Sequence, residues 1–254
     1  MSKSTSAVNA DRRKLAREAQ LREAAAAKRR RTLIQIAVVG TVAVVVIGIV
    51  TTAVIIGSRQ RSQTTPSANA TVTVGTRQVP FAIDGSAVRV GPADAKAKVD
   101  LWVDYSCPHC QEFEATNSEA LNSLIAGGDV SVSYHNIQVD TDYALEAGSA
   151  AACVATHDPN AWVGFNATLY ANHSETTDGW TSSQFKDFAA QQGVNAEAQT
   201  CISSGRYTGW ITSNTADAAK NDVSGTPTMF LNGVKSETLS GQALVAKVNE
   251  LAGR

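Results

Sequence analysis

Cysteine is scarce in this chain and unevenly placed. Of 254 residues only four are cysteine (Cys107, Cys110, Cys153 and Cys201), and none precedes position 107. Only one closely spaced pair exists. Structural zinc sites usually combine two such pairs, and Cys153 and Cys201 are 48 positions apart, so zinc is disfavoured. A c-type haem attachment needs histidine directly after the second cysteine; Gln111 stands there instead. His135, His157 and His173 are scattered without ligand spacing and read as surface or core residues. There are no internal repeats. No metal ligand set and no bound cofactor are implied.

An excess of charge is also missing, since the formal net charge is −1. That balance hides a split. Residues 1–31 hold ten Lys/Arg against three acids, and the remaining 223 residues hold twelve basic against twenty acidic residues. Charge is then absent altogether from Leu33 to Gly57, "LIQIAVVGTVAVVVIGIVTTAVIIG". At ~1.5 Å per helical residue this stretch matches a ~30 Å hydrocarbon core. A signal-peptide core is shorter and ends at a small-residue cleavage site, whereas Arg59 and Arg61 follow here. The expectation is an uncleaved signal-anchor over 33–57. The basic tail over 1–32 is its cytoplasmic flank rather than a nucleic-acid site. The rest of the chain then faces outward, where disulfides persist, and all four cysteines lie on that side.

Residues 58–80 are polar and rich in Ser and Thr, and read as a flexible linker. The globular pattern begins near Phe81. Ala87–Gly91 and Ala97–Tyr105 read as strands, the second with Val99, Leu101 and Val103 on one face. Pro108 suits the first turn of a helix, and Gly127–Gly128 end it. Asp129–Asp140 alternates as a strand. Residues 142–221 are helical in pattern. A hairpin around Asn232–Gly233 and a helix over Gln242–Leu251 close the chain.

The pair itself is "SCPHCQEF", at the junction of a strand and a helix. Four uses fit such a pair: structural disulfide, half a zinc site, haem attachment and redox dithiol. As a structural staple its loop is too short to constrain the unfolded chain much. As a redox dithiol it is well placed. The thiolate is the nucleophile in disulfide exchange, and Cys107 at a helix N-terminus meets free N–H groups and the positive end of the helix dipole. His109 between the sulfurs would stabilise the thiolate further. Cys110, one turn on, would be the resolving thiol. Stabilising the thiolate favours the reduced form and makes the disulfide a stronger oxidant.

Farther on, "SGTPTMFLNG" places Pro227 at the start of a strand, where proline is awkward unless its peptide bond is cis or the strand is at an edge. CPHC at a strand–helix junction, followed about 120 residues later by TPT before a hairpin, resembles the thioredoxin superfamily. The helical block between them is similar to the insertion of its membrane-anchored DsbA-like members of Gram-positive and actinobacterial type. The resemblance covers roughly 81–254. It implies an α/β thioredoxin-like fold with a helical insertion over about 142–205, preceded by one transmembrane helix. It makes Cys107 the exchange nucleophile, Cys110 its partner and His109 the tuner, and Thr226 and Pro227 the substrate-binding loop. It also implies a disulfide between Cys153 and Cys201. The alternative for that second pair is a redox site passing electrons to Cys107.

One departure stands out. Many thioredoxins, and the prototype DsbA, carry a buried acid six residues before the first cysteine; here that position is Leu101. Asp104 is a candidate proton relay to Cys110, or else a solvated carboxylate at the strand end. Trp102, Trp162, Trp180 and Trp210 read as core or groove-lining residues. Asn69, Asn166 and Asn172 sit in glycosylation sequons that matter only in a glycosylating host.

The expected function is an oxidase at the cell membrane, a monomer, introducing disulfides into exported proteins. The resemblance supplies its partners: reduced exported substrates, and a quinone-linked membrane reoxidase of DsbB or vitamin K epoxide reductase type. The alternatives are a reductase or isomerase, or a binding module on the same fold.

Overall fold

The computed structural model describes residues 64–254. The basic tail, the apolar span over 33–57 and the first six residues of the linker lie outside the described residues. Among the described residues no helix is long and apolar enough to cross a membrane.

Seven strands form one sheet. In chain order they are β1 (Asn69–Val74), β2 (Arg77–Asp84), β3 (Ala87–Val90), β4 (Ala97–Val103), β5 (Val130–Asn136), β6 (Thr228–Leu231) and β7 (Val234–Ser236). Their spatial order is β1-β2-β3-β5-β4-β6-β7. Only β4 and β5 run parallel, joined through the helix α1 (Pro108–Ala126). A parallel pair needs such a crossover, which is why the CPHC segment lies on a strand–helix connection. Between β5 and β6 come α2 (Asp142–His157), α3 (Pro159–Asn172), α4 (Ser182–Gln191), α5 (Ala196–Ser203) and α6 (Thr208–Ala218). Helix α7 (Gly241–Ala252) ends the chain.

Strand β4 buries one face along its whole length and the other at Trp102, near its end. Val99, Leu101 and Val103 join the large core, which also takes Phe113 and Leu121 of α1, Trp162 of α3 and Leu244 of α7. Trp102 points to the other face, into a small core with Ile137, Ala218 and Val223. There it stacks on His135, ring centroids 4.4 Å apart. Trp162 packs edge-on against Phe81 and Tyr134, and Trp180 against Phe185 and Phe188. The Trp210 indole donates to the Gly85 carbonyl at 3.1 Å.

The linker reading over 58–80 is corrected from residue 69 onward. Residues 69–84 form a β-hairpin that extends the sheet. Its Ser/Thr-rich composition masks a period-2 pattern: Val72, Val74, Val79 and Phe81 point inward and are buried, while threonines and charged residues face out. Gly75 at φ +59° and Gly85 at φ +60° occupy the first positions of the two-residue turns on either side of β2, a conformation that side chains with a Cβ resist.

Candidate active site

Strand β4 delivers the chain to the site. Three residues separate its end from Cys107, which is the N-cap of α1 with extended backbone (φ −74°, ψ 121°) and Pro108 as the first helical residue. The Cys107 carbonyl accepts from the N–H groups of Cys110 and Gln111, both at 3.0 Å. The helix therefore begins at the cysteine. Both thiols are free and buried.

The two thiols are unequal. The Cys107 pKa is lowered to about 6. The hydrogen bond from the Cys110 thiol does most of this, helped by hydrogen bonding with Thr226 and by the backbone N–H groups of Cys110 and His109, while burial works in the opposite direction. Cys110 moves the other way: its bond to Cys107 and its burial push it far above the ordinary thiol range. At neutral pH the pair is one thiolate and one thiol sharing a proton. His109 contributes through its backbone N–H, and its side chain is exposed. Thr226 and Pro227, joined by a cis peptide bond, stand across from the pair, with the Thr226 carbonyl 3.3 Å from the Cys107 sulfur. A groove of about 320 Å³ lies next to the pair, walled by His109, Phe113 and Thr116 of α1 and by Thr226, Pro227 and Thr238 opposite.

The Asp104 carboxylate is neither solvated nor bonded to Cys110, which touches Asp104 only at the backbone. It is fully buried. One oxygen accepts from the Ser106 backbone and hydroxyl, both at 2.6 Å; the other accepts from the backbone N–H groups of Val139 (2.6 Å) and Asp140 (3.0 Å). The Ser106 hydroxyl in turn accepts from the Thr141 N–H at 3.2 Å. This carboxylate fastens the turn before Cys107 to the loop after β5. Leu101, at the place of the familiar acid, is fully buried in the apolar core.

Cys153 on α2 and Cys201 on α5 are joined by a disulfide, S–S 2.04 Å. His157, on the last turn of α2, pairs with Glu197 at 3.1 Å. His173 pairs with Asp178 at 2.7 Å, and the His135 ring bonds the Ser86 hydroxyl at 2.8 Å. Asn166 is buried and hydrogen-bonded, so its sequon is closed to modification.

Sequence reasoning missed a buried polar cluster beneath the dithiol. Glu114 lies one helical turn beyond Cys110 and is only 6% exposed. Asn166 of α3 donates to it at 3.4 Å and accepts from the Tyr105 hydroxyl at 2.7 Å. Burial raises the Glu114 pKa to about 7, against the pull of the Asn166 bond. A signal was available: Cys110, Phe113, Asn117 and Leu121 follow the helical period of the buried face, and Glu114 falls on it.

A thiolate at a helix N-terminus beside a buried thiol, next to a groove, can carry out thiol–disulfide exchange. The comparisons agree. The family model described as Thioredoxin matches residues 84–249. The crystal structure of oxidised DsbA from Mycobacterium tuberculosis is 29% identical and superposes with a TM-score of 0.58, covering 66% of this chain and 93% of that one. MdbA, a thiol-disulfide oxidoreductase from Corynebacterium diphtheriae, shares the fold at 21% identity and a TM-score of 0.57, covering 76% of this chain and 98% of that one. Among curated relatives, the serine/threonine-protein kinase PknE of Mycobacterium tuberculosis is 24% identical over 155 residues, 55% of this chain. The chain spans only 27% of that kinase's length. With most of its described length matched, the chain belongs to the thioredoxin family, in the DsbA-like form of its fold.

Proposed function

We propose that this protein is a thiol:disulfide oxidoreductase that works as an oxidase of exported proteins, anchored by 33–57 with its N-terminus in the cytoplasm and the dithiol outside. The observation that carries the reading is the Cys107 sulfur, stabilised as a thiolate at the start of α1 and 3.3 Å from the Thr226 carbonyl beside the groove. A substrate thiolate attacks the oxidised Cys107 sulfur, and Cys110 leaves. The mixed disulfide so formed is resolved by a second substrate thiol, which leaves both enzyme cysteines reduced. A chain lying extended along the groove would meet the Thr226 backbone. Two electrons must then leave the dithiol, and a quinone-linked membrane reoxidase of DsbB or vitamin K epoxide reductase type would accept them. The low Cys107 pKa supports the oxidase direction, because whatever stabilises the thiolate stabilises the reduced form.

The test is the reduction potential of Cys107–Cys110, measured in the full-length chain in detergent by equilibration against glutathione. The expected value lies well above thioredoxin's ~−270 mV, toward ~−120 mV. A value at or below thioredoxin's would assign a reductase.

A further inference from the structure

Exchange at Cys107 leaves a proton problem at Cys110. Whenever Cys110 attacks, it must lose a proton; whenever it is displaced, it must gain one. Cys110 is 1% exposed and strongly favours the neutral form. Water does not reach it directly, Leu101 carries no proton, and both oxygens of Asp104 are engaged elsewhere.

Glu114 is the remaining buried acid beside it. It stands on the buried face of the same helix, at i+4, a spacing that puts side chains ~5–6 Å apart. The groups that face it are all neutral at pH 7. They are Tyr105 beyond β4, Tyr134 on β5, and Asn166 and Tyr170 on α3. No lysine or arginine pairs with it among the described residues. Glu114 is therefore free to change protonation state without breaking an ion pair. It also touches two cavities. One, of about 140 Å³, is walled by Glu114, Asn166, Tyr134 and Trp162; the other, of about 370 Å³, is walled by Glu114, Gln111 and Tyr170. The Trp162 indole N–H and the Tyr170 hydroxyl are buried without a protein partner. Both cavities are large enough to admit water, with the Glu114 carboxylate among its polar partners. Tyr170 and Glu114 wall the larger of these cavities together.

We infer that Glu114 is the proton acceptor and donor for Cys110, one helical turn away on the same buried face. The inference rests on the exchange reading above but not on its direction. When Cys110 attacks a mixed disulfide on Cys107, the Cys110–Cys107 S–S bond forms and the bond to the leaving sulfur breaks. The Cys110 sulfur is oxidised, the leaving sulfur is reduced, and the Cys110 proton passes to the Glu114 carboxylate. When a substrate thiolate opens the enzyme disulfide at Cys107, Cys110 departs as a thiolate and takes the proton back. A buried Glu114 that titrates near neutrality suits both directions.

The reduced full-length protein is mixed with Ellman's reagent in a stopped-flow instrument. A first phase of thionitrobenzoate release reports attack by Cys107, and a second reports attack by Cys110. Glu114→Gln should leave the first phase within twofold and slow the second at least ~10-fold between pH 6 and 8, flattening its pH profile. Glu114→Asp, which keeps an acid at shorter reach, should fall between the two and serves if the glutamine variant does not fold. Second phases that superpose on the native one at every pH, in the variant that folds, would overturn the assignment and leave the exchange chemistry standing. A native protein with no first phase would overturn both.

Discussion

The sulfur of Cys107 and the carbonyl oxygen of Thr226 lie 3.3 Å apart although 119 positions separate them in the chain. The hairpin of β6 and β7 brings the loop there, because β6 pairs with β4 and β4 ends just before the cysteine. One strand register thus sets both the nucleophile and the surface against which it works.

Titration of the reduced protein, followed by thiolate absorbance near 240 nm, should show a midpoint at about 6. Cys110→Ala should move that midpoint back toward the ordinary thiol range, since the Cys110 thiol is the largest influence on it. An unmoved midpoint would assign the effect to the helix N-terminus instead.

The same shift sets a pH dependence of stability. The folded Cys107 pKa lies below that of the unfolded chain, so reduced protein gains stability that is full above pH ~8.5 and lost as pH falls through about 6. Cys110 is shifted upward and works against the reduced state above pH ~8.5, so the clean window is pH 6 to 8.5. Across it, the melting temperature of the reduced form should rise with pH relative to the oxidised form.

Asp104→Ala strips acceptors from the N–H groups of Val139, Asp140 and Ser106. Urea unfolding should show a loss of about 2–4 kcal/mol. Asp104→Asn should keep the native pH profile of the Cys110 step, because the carboxylate holds a loop and does not exchange that proton.

Replacing Cys153 and Cys201 together by serine opens a link between residues 48 apart. The chain-entropy model sets the loss at about 4 kcal/mol, with the strain of the native state as the main deduction. Attack by Cys107 on Ellman's reagent should keep its native rate, as expected of a structural link.

Removing residues up to Thr76 deletes β1, with buried Val72 and Val74. At about 1.5–3 kcal/mol per buried valine, urea unfolding should show a loss of about 3–6 kcal/mol.

The β4–α1 junction was legible in the sequence because its signals are local: alternating Val99, Leu101 and Val103, then Pro108 one residue past the cysteine. So was the helical run after β5. The N-terminal hairpin was hidden because threonine is common both in strands and in linkers, and only four apolar positions betray the period. Asp104 could not be read, since two of its partners are backbone groups of Val139 and Asp140, 35 and 36 residues away. His109 lies where the sequence placed it, yet its backbone matters to the sulfur, and sequence names only side chains. Glu114 was overlooked because a glutamate on an amphipathic helix is usually a solvated one. What buries it is α3, which arrives from the far side of β5.

The cysteine pairing also bears on how the chain comes to be made. Cys153 is bonded to Cys201, which leaves Cys107 for Cys110. Each cysteine therefore has as its partner the one next to it in sequence. A polypeptide delivered from its N-terminus shows Cys107 and Cys110 first, with no third thiol to compete. Cys153 and Cys201 follow as the second couple. Oxidation in order of appearance yields the native pattern, and no wrong bond has to be undone. The native pattern is therefore the one that joins the cysteines in consecutive couples along the chain.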